Sequence, residues 1–581
     1  MKRLIAGGRV LLLVAGLFLF VSKSSGSTTL ISDYKDLQTA LKASNVVTNF
    51  TNATISLTTA GQTFQITKDV LIDGGTNNVV IDGGQSTRLF VVSPGATLTL
   101  NNLQLLDGIA TTGGAIFNEG TLIISNCIIS GNFTTNINGA NGTTNSNGGD
   151  GGGAGNGGNA VGGAIYSTGS LRIYYSVLGT NGASGGAGGN GGPGGSGVIF
   201  AGNGGNGGNG GTAYGAAIYS TGPSNVFFSD MFVDNICTAA PGGSGGGSGS
   251  GAFAGSSGSG GTGGSAGGGA VYITGNLSMS NCLFYLNSAS GGSSAGAPTD
   301  ATGSGPNGNA GGTSLGGGLF MTGTGASAYI ENTVFFDNRC IGGAGGNAAA
   351  TGSTGGNGGS ALGGGLYSVG VHAVLRSCTL ATNILTAGTN GTGNGGSGSY
   401  GSTGGWDIYQ ASGSMTMSDS IVSGDTNQAP NYRPNLAGVA DAGYNICSDA
   451  TLARATSTTL INTDPGLDTG LSDQGTNLGP VGVSGPDMLT LALSVNGSVA
   501  EMFIPGVPGI SFPALDQVLQ PRGTPTSSGA YEEDEITLTT NATTTILTQP
   551  GDESVRLGQT ATFSVDATNY FLTYTITTNT V

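Results

Sequence analysis

The side chains that could do chemistry in this chain are sparse. Of 581 residues only 8% are charged, with one histidine, His372, and six cysteines. Glycosidic hydrolysis needs two carboxyl groups, one to donate a proton and one to activate water or attack carbon, and polysaccharide elimination needs Asp-bound calcium and a base. Asn462-Thr463-Asp464 is a short match to one hydrolase motif. No Asp-Asp pair, Gly-His-Gly or Arg-Ile-Lys accompanies it, and Pro465 makes it read as a turn. Arg172 and Arg376 fall on strand-like segments without carboxylates at matching positions, and His372 reads as a solvent-facing or packed strand residue. Calcium-binding glycine-rich repeats carry an Asp in every nonapeptide, whereas the glycine-rich stretches here hold only Asp150 and Asp300. The cysteines lack metal-ligand spacing: Cys127, Cys282 and Cys378 share one repeat position and Cys237 and Cys340 another, as small buried residues in register would. A Cys237–Cys282 bridge stays open in an exported chain. The expectation is therefore no catalytic residue, no metal, no cofactor and no enzyme.

What must position these residues is a repeat. The stretch GGAIFNEGTLIISNCIISGN (113–132) returns six more times, with first glycines at 162, 215, 268, 316, 363 and 405, and periodicity of this length signals stacked units. In five of the seven copies a glycine pair, replaced by Gly215-Ala216 and Gly405-Trp406 in the other two, leads into a short apolar strand, and a further glycine (Gly120, Gly169, Gly222, Gly275, Gly323, Gly370, Gly413) breaks the run where the chain is expected to turn. A segment with an apolar residue at every second position follows, as one buried face requires. Asn132, Asn181, Asn235, Asn287, Asn338 and Asn383 close the copies, the last ending instead on Asp425.

Two short strands per unit cannot bury their apolar face alone, so units stack into a parallel β-helix, about 4.8 Å per layer. The asparagines are expected to form a structural ladder at a tight bend, tolerating left-handed backbone and bonding amide to amide. Gly114, Gly163, Gly269, Gly317 and Gly364 are the expected structural turn glycines. Tyr166, Tyr219, Tyr272, Phe320, Tyr367 and Tyr409 read as a packed stack in preference to a carbohydrate platform.

Residues 1–26 read as a secretory signal, with Lys2, Arg3 and Arg9 before a short apolar core at 10–21. No later segment is apolar for long enough to span a membrane as a helix. With 15 basic against 31 acidic groups, net −16, the chain has little with which to neutralise nucleic-acid phosphates or dock on anionic lipid. Residues 27–54 are expected to cap the helix, through an α-helix over Asp33–Ala43 whose Leu37, Ala40 and Leu41 share a face behind a Ser32 or Asp33 cap. The solenoid is expected over 55–425.

Six insertions, roughly 133–161, 182–214, 239–267, 288–315, 341–362 and 384–404, consist almost wholly of Gly, Ser, Asn, Ala and Thr. Such composition reads by default as flexible loops. The three-residue beat of 185–197 and 204–211 leaves open an ordered layer of extended glycine chains packed side by side.

The GGAI motif followed by an apolar-x-x-Asn, as in Phe232 to Asn235, Phe284 to Asn287 and Phe335 to Asn338, resembles the paired repeats of chlamydial polymorphic outer membrane proteins. More widely it is similar to bacterial right-handed β-helix passengers of the pectate-lyase-like superfamily. Over 426–534, Asp464-Pro465-Gly466-Leu467, Phe512 to Asp516, Arg522-Gly523 and Ser528 to Glu532 resemble the tail of choice-of-anchor β-helix proteins, with Phe-Pro in place of Ser-Pro and no Asn-Gly-Gly-Pro-Thr. That region would finish the helix. Residues 535–581 resemble the opening of an immunoglobulin-like domain, with about 35 residues from Ile546 onward against about 100 for a whole sandwich, so the chain reads as cut short. No run of membrane-barrel strands is visible. The resemblances imply an all-β, right-handed solenoid with a capping helix and a partial β-sandwich, secreted or held at a bacterial cell surface or outer membrane. It would be a monomeric rod presenting glycine-rich loops to an extracellular polysaccharide or protein, as an adhesin does. The alternative is a polysaccharide-binding or polysaccharide-degrading enzyme working in a groove.

Overall fold

A computed structural model describes residues 30–531 other than 52, 60, 300–302, 425–435, 453, 479–486, 493–499, 501–503, 505–512, 521 and 523–526, and beyond these the short strands Ile546–Thr548 and Asp566–Ala567. The signal segment, Asp425, Phe512, Gly523, Glu532 and most of the immunoglobulin-like stretch lie outside the described residues. The chain divides into a unit of residues 1–533 and a second of 534–581, in which the two short strands pair antiparallel.

The larger unit is nearly all β, with long parallel sheets stacked in a manner consistent with a parallel β-helix. One repeat shows the scheme. Ile116–Asn118 and Thr121–Ser125 join a 19-stranded sheet, Ile128–Ser130 an 11-stranded one, Phe133–Thr135 a 7-stranded one, and Ala160–Val161, beyond the insertion, a 6-stranded one. Each strand pairs parallel with its counterpart one repeat away: Leu122 faces Leu98 and Leu171, and Ile129 faces Leu105 and Leu178. The alternation in sequence becomes alternation in burial, Leu122 and Ile124 inside with Thr121 and Ile123 outside, so like stacks on like. Within the core the rings of Phe232, Phe284 and Phe335 stack at 4.6 and 4.8 Å.

The corners fall elsewhere than the motif suggests. The glycine near the eighth position is no corner, since the strands on either side of it share the 19-stranded sheet, and in the last two copies one strand runs through, Leu366–Arg376 and Ile408–Ser418. Of each glycine pair it is the first that takes left-handed backbone, Gly113, Gly162, Gly268, Gly316 and Gly363 having φ between 55° and 64°. The second, the expected turn residue, is packed: a Cβ on Gly114 would sit 2.5 Å from the Gly163 carbonyl oxygen, and one on Gly269 1.9 Å from that of Gly317. Nor do the ladder asparagines carry the left-handed angle. The residue before each does, namely Gly131, Thr180, Asp234, Leu286, Asp337 and Thr382, with φ of 52–67°. A second left-handed row, Asn126, Tyr175, Ser229, Asn281, Asn332, Ser377 and Asp419, marks the other bend of each layer.

At the start of the unit, the helix Tyr34–Ala43 is capped by Asp33, whose carboxylate accepts from the Asp36 N–H at 2.9 Å, while Ser32 donates back to Asp36. Leu37, Ala40 and Leu41 are buried in the main core. Beyond the last repeat, Val439–Asp441 and Ile446–Cys447 extend two of the sheets. The following chain does not simply end the stack. It folds back along the outside of the 11-stranded sheet, where Met488, Leu491, Val518 and Ala530 cover the outward side chains of Met231, Leu283 and Val334. Gln517 donates to the Cys282 carbonyl at 3.0 Å, and the buried Arg522 reaches Asn332 Oδ1 at 3.2 Å and the Gly529 carbonyl at 2.7 Å. Asp516 and Arg522, the motif residues of this region, are thus fasteners of a strap.

Leu286 holds left-handed backbone that L-residues adopt at a cost of about 1–2 kcal/mol. Leu286→Asn is expected to raise unfolding free energy by up to about 1 kcal/mol, read from denaturant melts against the parent.

Candidate functional site

The six ladder asparagines are buried in one column. The Asn132 amide donates to Asn181 Oδ1 at 3.0 Å, Asn181 to Asn235 at 3.1 Å, Asn235 to Asn287, Asn287 to Asn338 and Asn338 to Asn383 each at 2.9 Å. Each Oδ1 that accepts the preceding amide also accepts that residue's backbone N–H, as Asn287 does from Asn235 at 3.0 Å. The second amide proton goes to a strand carbonyl, that of Leu178 for Asn235. Every polar atom is used, which is the condition for burying it. Asp407 ends the column, accepting from Asn383 Nδ2 at 2.7 Å. Burial pushes its carboxyl up to about 7 against the opposing hydrogen bond from Asn383, and its Oδ2 is without a hydrogen-bond partner among the described residues.

A parallel column at the other bend was legible in the sequence only as the shared repeat position of Cys127, Cys282 and Cys378. Cys127 N–H donates to Ser176 Oγ at 3.1 Å, Ser176 N–H to Asp230 Oδ1 at 2.9 Å, and Cys378 N–H to Ser420 Oγ at 3.0 Å. Cysteine, serine, aspartate and, at Thr333, threonine occupy it in turn, so no single residue type marks the whole column. All six thiols are buried and unbridged. Cys237 and Cys282 belong to different apolar clusters, which excludes the bridge between them; burial pushes Cys127, Cys237, Cys340 and Cys378 up to about 12.

The glycine-rich insertions, expected by default to be loops, form a hydrogen-bonded array between the 7- and 6-stranded sheets. In the second insertion Gly186, Gly189, Gly192 and Gly195 donate to Gly158, Gly155, Gly152 and Gly149 of the first at 2.8–2.9 Å. Gly188, Gly191, Gly194 and Gly197 donate to Pro241, Ser244, Gly247 and Ser250 of the third at 2.8–3.0 Å. The returning arm repeats the pattern, Gly202, Gly205, Gly208 and Gly211 donating to Gly195, Gly192, Gly189 and Gly186 at 2.8–2.9 Å. Bonding in different directions at every third residue is what an extended helix of three residues per turn produces. A Cβ would close the spacing: on Gly205 it would sit 1.9 Å from the Gly152 carbonyl oxygen, on Gly208 1.8 Å from that of Gly155.

The third position of each turn points out and carries the side chains. Asn190 and Pro193 line one face, Asn203, Asn206 and Asn209 the other, all exposed. An outward N–H has no neighbouring arm to meet, and the amide one layer below takes it: Ser256, Ser259 and Thr262 donate to the Oδ1 atoms of Asn203, Asn206 and Asn209 at 2.7, 2.9 and 3.0 Å. Asp150 plays the same part for Asn203 at 2.7 Å. The faces are therefore uncharged save Asp150 across the first three insertions, with side chains about 9 Å apart along an arm, three residues of about 3.1 Å rise.

The column from Phe117 through Tyr166, Tyr219, Tyr272, Phe320 and Tyr367 to Tyr409 is continuous, with ring centroids 4.7–5.5 Å apart. On the outer side of the 19-stranded sheet, Asn276, Ser278, Tyr329, His372, Val374 and Thr416 line an open concavity of about 570 Å³. His372 is exposed and shares a hydrogen bond with Ser414 at 2.8 Å. Arg376, contrary to the sequence reading, does have carboxylates at matching positions: Glu331 pairs with it in register at 3.8 Å and Asp419 lies at 3.5 Å. Tyr329 Oη donates to Glu331 at 2.7 Å. Each of these carboxylates faces the arginine, so the trio is an ion-pair network. Asp464 caps its own turn, accepting from Gly466 N–H at 2.9 Å. Among the described residues no three His, Cys, Asp or Glu side chains gather as metal ligands, and no helix is long and apolar enough to cross a membrane. No protein-family model, curated protein or solved structure matches the chain.

Asn235→Ala leaves neighbouring buried partners unpaired and is expected to cost about 1–3 kcal/mol in denaturant melts. Because the folded-state pKa of Asp407 is raised from 3.8 to about 7, its contribution to stability is intact below the lower value and declines as pH rises through that window. Asp407→Asn is accordingly expected to be more stable than the parent at pH 8, the advantage vanishing by pH 4.

Proposed function

We propose that this chain is an exported, non-catalytic right-handed parallel β-helix that displays its glycine array at a cell surface for contact with extracellular polysaccharide or protein. The single observation that carries the reading is the array itself. The second and third insertions share a lattice whose inner positions are nearly all glycine and whose outer positions hold mainly amides and hydroxyls at regular spacing. A spacer has no need of such order; a contact surface does, because groups fixed in advance lose little entropy on binding. Neutrality restricts the partner to one recognised by hydrogen bonds, such as a glycan or a polar protein surface.

A second reading, a polysaccharide-binding or polysaccharide-degrading groove, is favoured by the concavity around Tyr329, His372 and Val374. The two are separated by adsorption of the purified protein to insoluble chitin, cellulose and peptidoglycan and to immobilised matrix proteins. Combined Asn206→Ala and Asn209→Ala substitution is expected to weaken retention at least tenfold, while hydrogen exchange across 182–214 stays as slow as in the flanking strands. Retention lost instead with Tyr329→Ala and Val374→Ala moves the site to the groove, and retention on none of these supports ends the display reading for them.

A further inference from the structure

The far ends of the second and third insertions break the polar pattern. Val198, Ile199 and Phe200 are 93, 57 and 68% exposed, and Phe253 one layer on is 64% exposed. The Phe200 and Phe253 rings stack at 5.4 Å. Elsewhere in these two insertions the outward side chains are small or polar, and neither insertion contains an Asp, Glu, Lys or Arg. We infer that this tip is an apolar wedge that enters the interface of a zwitterionic phospholipid bilayer.

Three features choose the occupant. First, backbone entering an apolar phase must have its hydrogen bonds met within the protein. Here Gly197 N–H donates to Ser250, Ala252 to Val198, Phe253 to Ile199 and Ala201 back to Phe253, at 3.0, 3.4, 2.7 and 2.9 Å. These bonds tie the two tips to each other, while the N–H groups of Val198, Ile199 and Phe200 meet no protein acceptor among the described residues and keep the wedge at the hydrated headgroup level. Second, four apolar side chains offer a few hundred Å², less than the about 800 Å² per partner of a stable protein interface. Two of the four are β-branched aliphatics, which give a sugar neither a ring face nor a hydrogen bond. Third, charge selects among lipids. The six insertions hold no Lys or Arg, Asp150 lies one layer from the tip as the partner of Asn203, and the whole chain carries −16. Anionic headgroups would be repelled, whereas phosphatidylcholine presents no net charge.

The wedge is separate from the polar faces, so its failure leaves the display reading standing. The test is sedimentation of the full chain with sucrose-loaded vesicles of phosphatidylcholine alone and of phosphatidylcholine with phosphatidylserine. The parent is expected to partition onto the neutral vesicles and less onto the anionic ones. Phe200→Ser with Phe253→Ser should lower the partition coefficient at least tenfold, with hydrogen exchange over 182–197 unchanged as proof that the lattice persists. A Phe253→Trp chain should shift its emission to the blue on the same vesicles. No partitioning of the parent, equal partitioning of the double variant, or preference for anionic vesicles overturns the inference. So does a parent that dimerises in analytical ultracentrifugation through these two phenylalanines without binding vesicles, which would make the occupant a second copy.

Discussion

Hydrogen bonding between backbones of successive layers is the constraint on which the rest depends. In the sheets it is the parallel ladder, Leu122 between Leu98 and Leu171; in the insertions it is glycine donating to glycine one arm away. Both require equivalent residues to arrive at the same height in every layer. A buried peptide group left unmatched costs more than a typical hydrogen bond contributes, so one layer out of step would penalise its neighbours on both sides. The same requirement explains the two columns at the bends, where backbone N–H groups that leave a sheet are met by Asn, Ser or Asp side chains from the adjoining layer.

The insertions show how glycine can be an architectural residue without any apolar core. Apart from alanines at the bases of the arms, such as Ala183, Ala213, Ala239 and Ala266, the arms have few side chains to bury, and hydrophobic burial supplies little there. What replaces it is a lattice in which N–H groups are matched in several directions and carbonyls approach too closely for any Cβ. Anchoring on the 7- and 6-stranded sheets sets the first contact of each arm, so an arm is aligned before it begins. Isolated glycine-rich chain would have lost far more conformational freedom for the same bonds.

Scarcity of charge follows from this design and shapes what the molecule can contact. Amides at the outward positions serve twice, accepting an N–H from the next layer and facing solvent. A lysine or arginine there would have no acceptor to offer the neighbouring N–H, and Asp150 is tolerated because its carboxylate accepts as an amide does. The C-terminal strap uses the opposite means. Arg522 is buried among carbonyls and Asn332, and its Nη2 bonds Asn332 Oδ1 of a middle layer together with the Gly529 and Ala530 carbonyls of the strap, tying a segment distant in sequence to that layer.

From the sequence alone, the spacing of GGAI and Asn motifs determined the parallel all-β stack, its register and the buried face of each strand, because periodic apolar residues have one arrangement that buries them all. The helix at Tyr34–Ala43 was equally legible in its cap and apolar face. Local sequence could not say which residue turns the corner. Gly131, Thr180 and Leu286 share no chemistry, and only the demand of the buried asparagine beside them forces left-handed backbone on all three. The Ser, Cys and Asp column, the ion pairs of Arg376 and the strap across the 11-stranded sheet likewise depend on residues far apart in the chain. Above all, composition made the insertions look like spacers. Their order comes from bonds between the two arms of one insertion together with neighbours one layer away, up to 54 residues distant in sequence, and the second set is a property of the stack and of no single segment.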